Sequence, residues 1–389
     1  LEHLEDEVLN NGVEGTRAAI NFLQSLRDML AGNSKSSVNV TVKWDGAPAI
    51  FAGINPENDK FFVGTKGVFN VSPKVNYTNA DIDANHSSAG LNAKLKVALK
   101  YLSKLGIKNV LQGDMLFTKE DLKTEKIDGK SYTTFQPNTI LYAVPTDSSA
   151  KIIKAKMGIV WHTTYTGKKL EDMKASFGAS VSSLTKTSDV WFSDANYEDK
   201  SGTINFNKSE TDNITSVLSK AGRTFQTLDS GFMKNLLSKK DILLLIKTYS
   251  NVKVRAGEEI TNTSKHVDDI IEYVNVKIQK DVDKVKTQSS KDKKTKYKEE
   301  IMKYLLVNKS QLKKIFDMQN LLIQSKTLVI RKLEKAKGAM GTFIRTDNGF
   351  RVTAPEGFVA IDNSGKAVKL VDRLEFSRAN FTAAKAWDK

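Results

Sequence analysis

Hydrophobic periodicity changes twice along this 389-residue chain, and these two changes constrain its architecture more than any single motif does. Up to about residue 207, short β-favouring runs alternate with Gly, Pro and Asn turns: "VNVTVKW", "AIFAG", "KFFVG", "KNVLQGDMLF", "TILYAV" and "MGIVWHTTY". Two amphipathic helices belong to the same stretch. One is "GTRAAINFLQSLRDMLAG", with Ile20, Leu23, Leu26 and Leu30 at helical spacing and Gly32 placed as a cap; the other is "LNAKLKVALKYLSKL". From about residue 212 the spacing becomes helical throughout, in "SGFMKNLLSKKDILLLIKTYS", "SKHVDDIIEYVNVKIQKDVDKVK" and "NKSQLKKIFDMQNLLIQSKTLVIRKLEKAK". After Gly338 strands return in "GTFIRT", "FRVTA", "GFVAID" and "AVKLVD", with a last helix expected from near Ser377. This is an α+β pattern rather than regular βαβ alternation. It predicts one β-rich domain split by an insertion: residues 1–207 as its first part, 208–340 as a helical insertion, and 341–389 as the completing strands and C-terminal helix.

With 40% hydrophobic residues the chain can bury a sizeable core. It has no cysteine, which removes disulfides, thiolate metal sites and thiol nucleophiles from consideration and suits a reducing cytoplasm, or a host cell's cytoplasm for a viral protein. No apolar run nears the roughly 20 residues of a spanning helix. The best candidate, "DILLLIKTY", is interrupted by Lys247, so no membrane association is expected. The chain starts at Leu1 rather than Met and carries nothing like a signal peptide, so some residues are expected to be missing ahead of it.

The formal charge is +15, and residues 208–340 hold 28 Lys and Arg against 16 Asp and Glu, which accounts for +12 of it. Charge concentrated in this way points to a polyanionic partner, nucleic acid above all, met through the basic helical insertion; the plain alternative is a bundle kept soluble by its lysines. Within it, "TQSSKDKKTKYKEE" is too polar to be buried and reads as a solvated turn or helix end. Nothing in the pattern fixes an oligomeric state.

In "TVKWDGAPAI", residues 41–50, four β-favouring residues stop at Lys43, followed by Asp45 and Gly46. An amine fixed at a strand end beside a carboxylate is what covalent nucleotide transfer needs, although a surface lysine before an Asp-Gly turn looks the same in isolation. "PEGFVAID" sets Glu356 and Gly357 before a β-run, and "AVKLVDR" sets Lys369 and Arg373 on the next. A carboxylate able to hold a divalent ion and cations able to meet an α-phosphate are complementary parts of phosphoryl transfer. The four His show no ligand spacing, and His86 reads as a loop residue.

Taken in order, "KWDG", "TKG" at 65–67, "GDMLF" at 113–117, "GIVWHTTY", "EGFV" and "VKLVDR" resemble the covalent nucleotidyltransferase superfamily of ATP-dependent DNA and RNA ligases and GTP-dependent mRNA capping enzymes. The resemblance spans about residues 38–376 and skips the helical insertion. It implies an antiparallel-sheet, ATP-grasp-like nucleotidyltransferase domain. Lys43 would be the residue nucleotidylated, Asp45 its acidic partner, and Gly46 the turn that lets the nucleotide approach. Lys66 stands where the family has an Arg near the ribose, and Asp114 where a Glu contacts ribose or metal. Glu356 is similar to the metal-binding Glu, and Lys369 to the Lys that meets the α-phosphate. Val371 replaces a second Lys, for which Arg373 is the expected substitute.

Trp161 is taken as the base-stacking aromatic, ahead of Tyr165 with which it shares strand parity; a buried core role is the alternative for both. The implied cofactors are ATP and Mg²⁺, with Mn²⁺ as a substitute. A lysine amine has a pKa near 10.4, so attack on phosphorus requires neighbouring cations that disfavour the ammonium form. Only sixteen residues follow Arg373, too few for the barrel that DNA ligases and capping enzymes carry. The expectation is therefore an ATP-dependent polynucleotide ligase acting on RNA, with a lysyl-AMP intermediate and joining of 5′-phosphate to 3′-hydroxyl ends. A GTP-dependent capping-type enzyme and a catalytically inactive nucleic-acid-binding protein are the alternatives.

Overall fold

The computed structural model describes residues 3–32, 39–195, 205–335, 341–346, 349–352, 357–361 and 367–374. Helix α1 (Glu7–Leu30) comes first, and its axis breaks at Gly12, where φ is 57° and ψ is −131°. A side chain there would be strained by that φ, and a Cβ would come within 2.8 Å of Leu237 Cδ1. Strands β1 (Asn39–Lys43), β2 (Ala49–Ile54) and β3 (Phe61–Gly64) follow. Helix α2 (Asn79–Asn85) starts on a capping box between Thr78 and Asp81, and α3 (Ala89–Leu102) starts where Ser88 Oγ accepts from the Leu91 amide. Next come β4 (Val110–Thr118), β5 (Lys123–Ile127), β6 (Lys130–Phe135), β7 (Leu141–Pro145), α4 (Ala150–Lys154), β8 (Met157–Thr166), β9 (Lys174–Phe177) and β10 (Val190–Asp194).

The helical stretch resolves into α5 (Lys208–Gln226), α6 (Ser230–Ser238), α7 (Lys240–Ala256), α8 (Thr263–Asp283), α9 (Gln288–Val307) and α10 (Lys309–Leu333). The chain ends its described part with β11 (Gly341–Thr346), β12 (Gly349–Val352), β13 (Gly357–Ile361) and β14 (Ala367–Leu370). The helix expected from near Ser377 lies outside the described residues. "TQSSKDKKTKYKEE" forms the first turns of α9 rather than a turn between helices. Its Lys, Gln and Glu are good helix formers, and Gln288 Nε2 supports the first turn by donating to Asp292 Oδ1 at 2.8 Å.

Two compact units result. One draws on Leu1–Val38, Ile204–Leu333 and Val368–Thr382, the other on Asn39–Thr203, Glu334–Ala367 and Ala383–Lys389. The helical body is therefore larger than an insertion at 208–340. Helix α1 joins it because its buried stripe of Ala19, Ile20, Leu23, Leu26 and Leu30 packs on α5, α6 and α10. Just ahead of α1, Lys326 Nζ reaches both carboxylate oxygens of Glu5, at 2.9 and 2.7 Å, with both side chains only 2% exposed. Burial alone would raise the pKa of the Glu5 carboxyl, but the charges and hydrogen bonds around it, Lys326 foremost, together outweigh it and the net shift is downward.

The other unit is built from antiparallel sheets. One has the order β10-β8-β4-β2-β3 with β9 added to β8, and another the order β12-β11-β7-β6-β5. The β10–β8 pair is parallel, unlike the other pairs of these sheets. Strand β1 pairs antiparallel with β13. Helix α3 covers one face of the first sheet, where Leu95, Ala98 and Leu102 meet Ile50, Ala52, Leu111, Ile159 and Trp161. Phe51, Phe62, Val68 and Val110 form a separate apolar cluster on the opposite face. Between the two sheets runs a chain of rings, Phe117 to Phe135 at 4.9 Å, Phe135 to Tyr142 at 5.4 Å and Tyr142 to Trp44 at 5.4 Å.

Candidate active site

Strand β1 ends at Lys43, which is half-buried and lies directly opposite Gly357 in the register with β13. The "KWDG" and "EGFV" segments therefore lie on adjacent strands although more than 300 residues separate them. Glu356 itself lies outside the described residues. Beyond Lys43 the chain turns sharply. Asp45 is buried, and three donors hold its carboxylate: Asn138 Nδ2 to Oδ1 at 2.8 Å, and the Thr139 and Ile140 amides to Oδ2 at 2.6 and 2.7 Å. Its own amide donates to the Tyr142 hydroxyl at 2.8 Å. Asp45 thus fastens the turn to the segment leading into β7.

Gly46 meets a steric requirement. A Cβ there would lie 2.5 Å from Asp114 Cβ and 3.0 Å from the Met115 carbonyl oxygen, so the turn can approach β4 only without a side chain. The Ala47 amide donates to Met115 O at 2.9 Å and the Met115 amide to Pro48 O at 3.0 Å, which fixes that approach. Asp114 consequently sits against the "KWDG" turn. Its Oδ2 is 3.7 Å from His162 Nε2, and His162 Nδ1 lies 2.8 Å from Thr163 Oγ1.

His162 was not expected at this place, and a bulge explains why it is there. Gln112 pairs with Thr163 but Gly113 pairs with Trp161, so His162 is an extra residue in β8. The extra residue inverts the facing of everything beyond it. Trp161 therefore points into the core under α3, fully buried, whereas Tyr165 joins the opposite cluster, stacked on Phe69 at 4.9 Å with its hydroxyl donating to Gln112 Oε1 at 2.9 Å. The two aromatics do not share a face, and Trp161 is a packing residue rather than an open stacking platform. Burial pushes the Tyr165 hydroxyl pKa up. The sequence sign of this arrangement was a lone His where the strand passes from apolar residues to threonines.

Lys66 opens a 3₁₀ turn, Lys66–Phe69, and is exposed in the sheet unit. Lys369 and Arg373 fall in the helical unit instead. The Lys369 backbone bridges in parallel to His3. Arg373 is not the spare phosphate cation expected of it, because Nη1 donates to Asp6 Oδ1 at 2.6 Å and Nη2 to Asn251 Oδ1 at 2.8 Å. Lys369 lies on β14, which follows β13 in the sheet order β1-β13-β14, so the strands that carry Lys43, Gly357 and Lys369 are neighbours, and the turn beyond Lys43 adds Gly46 against Asp114, with His162.

No group of three or more His, Asp or Glu able to hold a metal occurs among the described residues. The Asp114 carboxylate offers oxygens of the kind a hard divalent ion takes, but it is a single ligand. Among the described residues no helix is long and apolar enough to cross a membrane. Residues 1–385 match the model of one protein family, described as a family of unknown function (DUF6267). No curated protein and no solved structure matches the chain.

Proposed function

We propose that this chain, which belongs to the DUF6267 family, is an ATP-dependent polynucleotide ligase that acts through Lys43. The observation that carries the reading is the pairing of Lys43 with Gly357, which sets the amine on the strand beside the one that "EGFV" begins. The Gly46 turn supports it by seating Asp114 against the segment that follows Lys43.

In the proposed reaction the Lys43 amine, having lost a proton, attacks the α-phosphorus of ATP. A P–N bond forms, the bond to the β-phosphate oxygen breaks, and pyrophosphate leaves. The adenylyl group then passes to a polynucleotide 5′-phosphate, releasing the lysine, and a 3′-hydroxyl displaces AMP to seal the strand. Mg²⁺ or Mn²⁺ would neutralise the phosphoryl oxygens during transfer. Asp114 is the described residue placed to hold the ion, and Glu356 is assigned to it by resemblance. RNA is the preferred substrate on resemblance, and the charge of the helical unit favours a polyanion of either kind.

The test is self-labelling. Protein incubated with α-labelled ATP or GTP and Mg²⁺ or Mn²⁺ should retain label from ATP on the wild type and none on Lys43→Ala. Label from GTP alone would move the assignment to a capping-type enzyme. No label from either nucleotide would leave a nucleic-acid-binding protein without this chemistry.

A further inference from the structure

The hairpin formed by the end of α8 and the start of α9 carries the most one-sided charge in the described structure. From Lys284 to Lys298 there are seven lysines and a single carboxylate, Asp292. Acidic residues bracket the segment, Asp281 and Asp283 before it and Glu299 and Glu300 after it. Two of the lysines brace the hairpin: Lys294 Nζ donates to Asp281 O at 3.0 Å and Lys298 Nζ to Gln279 Oε1 at 2.6 Å. Lys284 pairs with Asp281. The ammonium groups of Lys286, Lys291, Lys293 and Lys296 have no hydrogen-bond or ion-pair partner among the described residues.

The core does not account for this segment. The buried residues of α9 are Ile301 and Leu305, both beyond it, so its first turns join the bundle through polar contacts, Lys294 and Lys298 to α8 and the Tyr297 hydroxyl to Asp241 of α7, with almost no apolar anchor. A helix polar on all sides gains little from its own packing, and clustered like charges cost free energy unless an anion neutralises them. An anionic membrane surface is the weaker partner, since an interfacial helix needs an apolar face and Gln288–Lys298 offers only the ring of Tyr297.

We infer that this hairpin tip is a docking surface for the phosphate backbone of a nucleic-acid strand, with Lys286, Lys291, Lys293 and Lys296 as the contacting cations. The inference deepens the polynucleotide-ligase reading by naming where substrate is held. It does not depend on Lys43 chemistry, so it can fail or hold independently of that reading.

The experiment uses the full chain carrying Lys43→Ala, which leaves the probe unaltered, and a fluorescein-labelled 20-nucleotide oligouridylate followed by anisotropy from 50 to 300 mM KCl. Each lost phosphate contact on a single strand removes about 0.7 from the slope of log affinity against log salt, so Lys286→Gln, Lys291→Gln, Lys293→Gln and Lys296→Gln together should flatten it by about 3. The same arithmetic lowers affinity near 0.1 M salt by about 100-fold or more. The control removes the same charge at the exposed Lys208, Lys220, Lys234 and Lys240 and should leave the slope within about 1 of its starting value. Equal loss in both sets, or loss in neither, would overturn the assignment. So would binding to phosphatidylserine vesicles that needs the four tip lysines while oligouridylate binding does not. Far-UV circular dichroism of both variants checks that α9 remains folded.

Discussion

Truncating Asp45 should unfasten the sheet unit, and the size of the effect follows from its contacts. The buried carboxylate accepts three hydrogen bonds, two from backbone amides. Hydrogen bonds to a charged group contribute roughly 1.5 kcal/mol or more each, and the Ile140 amide, fully buried, would be left without its acceptor in Asp45→Ala. The expected loss is about 4 kcal/mol. Asp45→Asn should cost about 1 to 2 kcal/mol, because its one oxygen can still accept from the Thr139 and Ile140 amides while Asn138 turns its own amide to accept from the new NH₂.

The readout for Asp45 is built into the sequence. Three of the four tryptophans, at 44, 161 and 191, lie in the sheet unit, so in a Trp387→Phe background urea unfolding followed by tryptophan fluorescence reports on that unit. With a slope of about 2 to 3 kcal/mol per molar urea, the Ala variant should lose about 1.3 to 2 M of midpoint and the Asn variant about 0.3 to 1 M. If Asp45 acts on the Lys43 amine and does not anchor the turn, neither midpoint moves. A shift below about 0.2 M for Asp45→Ala refutes the anchoring argument.

Two further predictions concern the helical unit, both followed by far-UV circular dichroism. Lys326→Ala should cost about 3 to 5 kcal/mol by leaving Glu5 buried and unpaired, whereas Glu5→Leu with Lys326→Met should recover most of that loss; equal destabilisation by the single and double changes would show that the pair is incidental. His266 is buried against Phe316, and burial lowers its pKa to about 4 from an ordinary 6.5. The unfolded chain therefore binds the proton first, so stability is intact above pH 6.5 and falls by about 3 kcal/mol as pH drops from 6.5 to 4. His266→Gln should flatten that fall by one proton, though His3, which burial depresses to about 3, leaves a residual slope. An unchanged pH profile in the Gln variant would remove His266 from the explanation.

Local pattern carried much of the architecture. The alternation in "VNVTVKW" and "MGIVWHTTY" and the spacing of Leu23, Leu26 and Leu30 mark elements that form where the pattern places them. The ownership of those elements was not legible, because α1 reads equally well as a helix for a sheet or for a bundle. Only the fit of its apolar stripe to α5 and α10, almost 180 and almost 280 residues onward, decides it. "KTEKI" and "KSYTTF" lacked the apolar content expected of strands, yet pair as β5 and β6 because β7 supplies the template edge. In the site, the "KWDG" and "EGFV" pairing agrees with motif order. The His162 bulge and the donors to Asp45 are long-range consequences that no local rule contains.

The helical unit is assembled from three stretches of chain with the sheet unit threaded between them. During synthesis, α1 is completed long before the helices that shelter it exist. At about 5 to 20 residues per second, Leu23, Leu26 and Leu30 wait roughly 10 to 40 s without cover. Arg373, whose clasp on Asp6 ties the last described segment to the first, arrives later still. The nascent protein is thus a natural client for chaperones that hold exposed aliphatic helices, and its two units cannot be separated by a single cut.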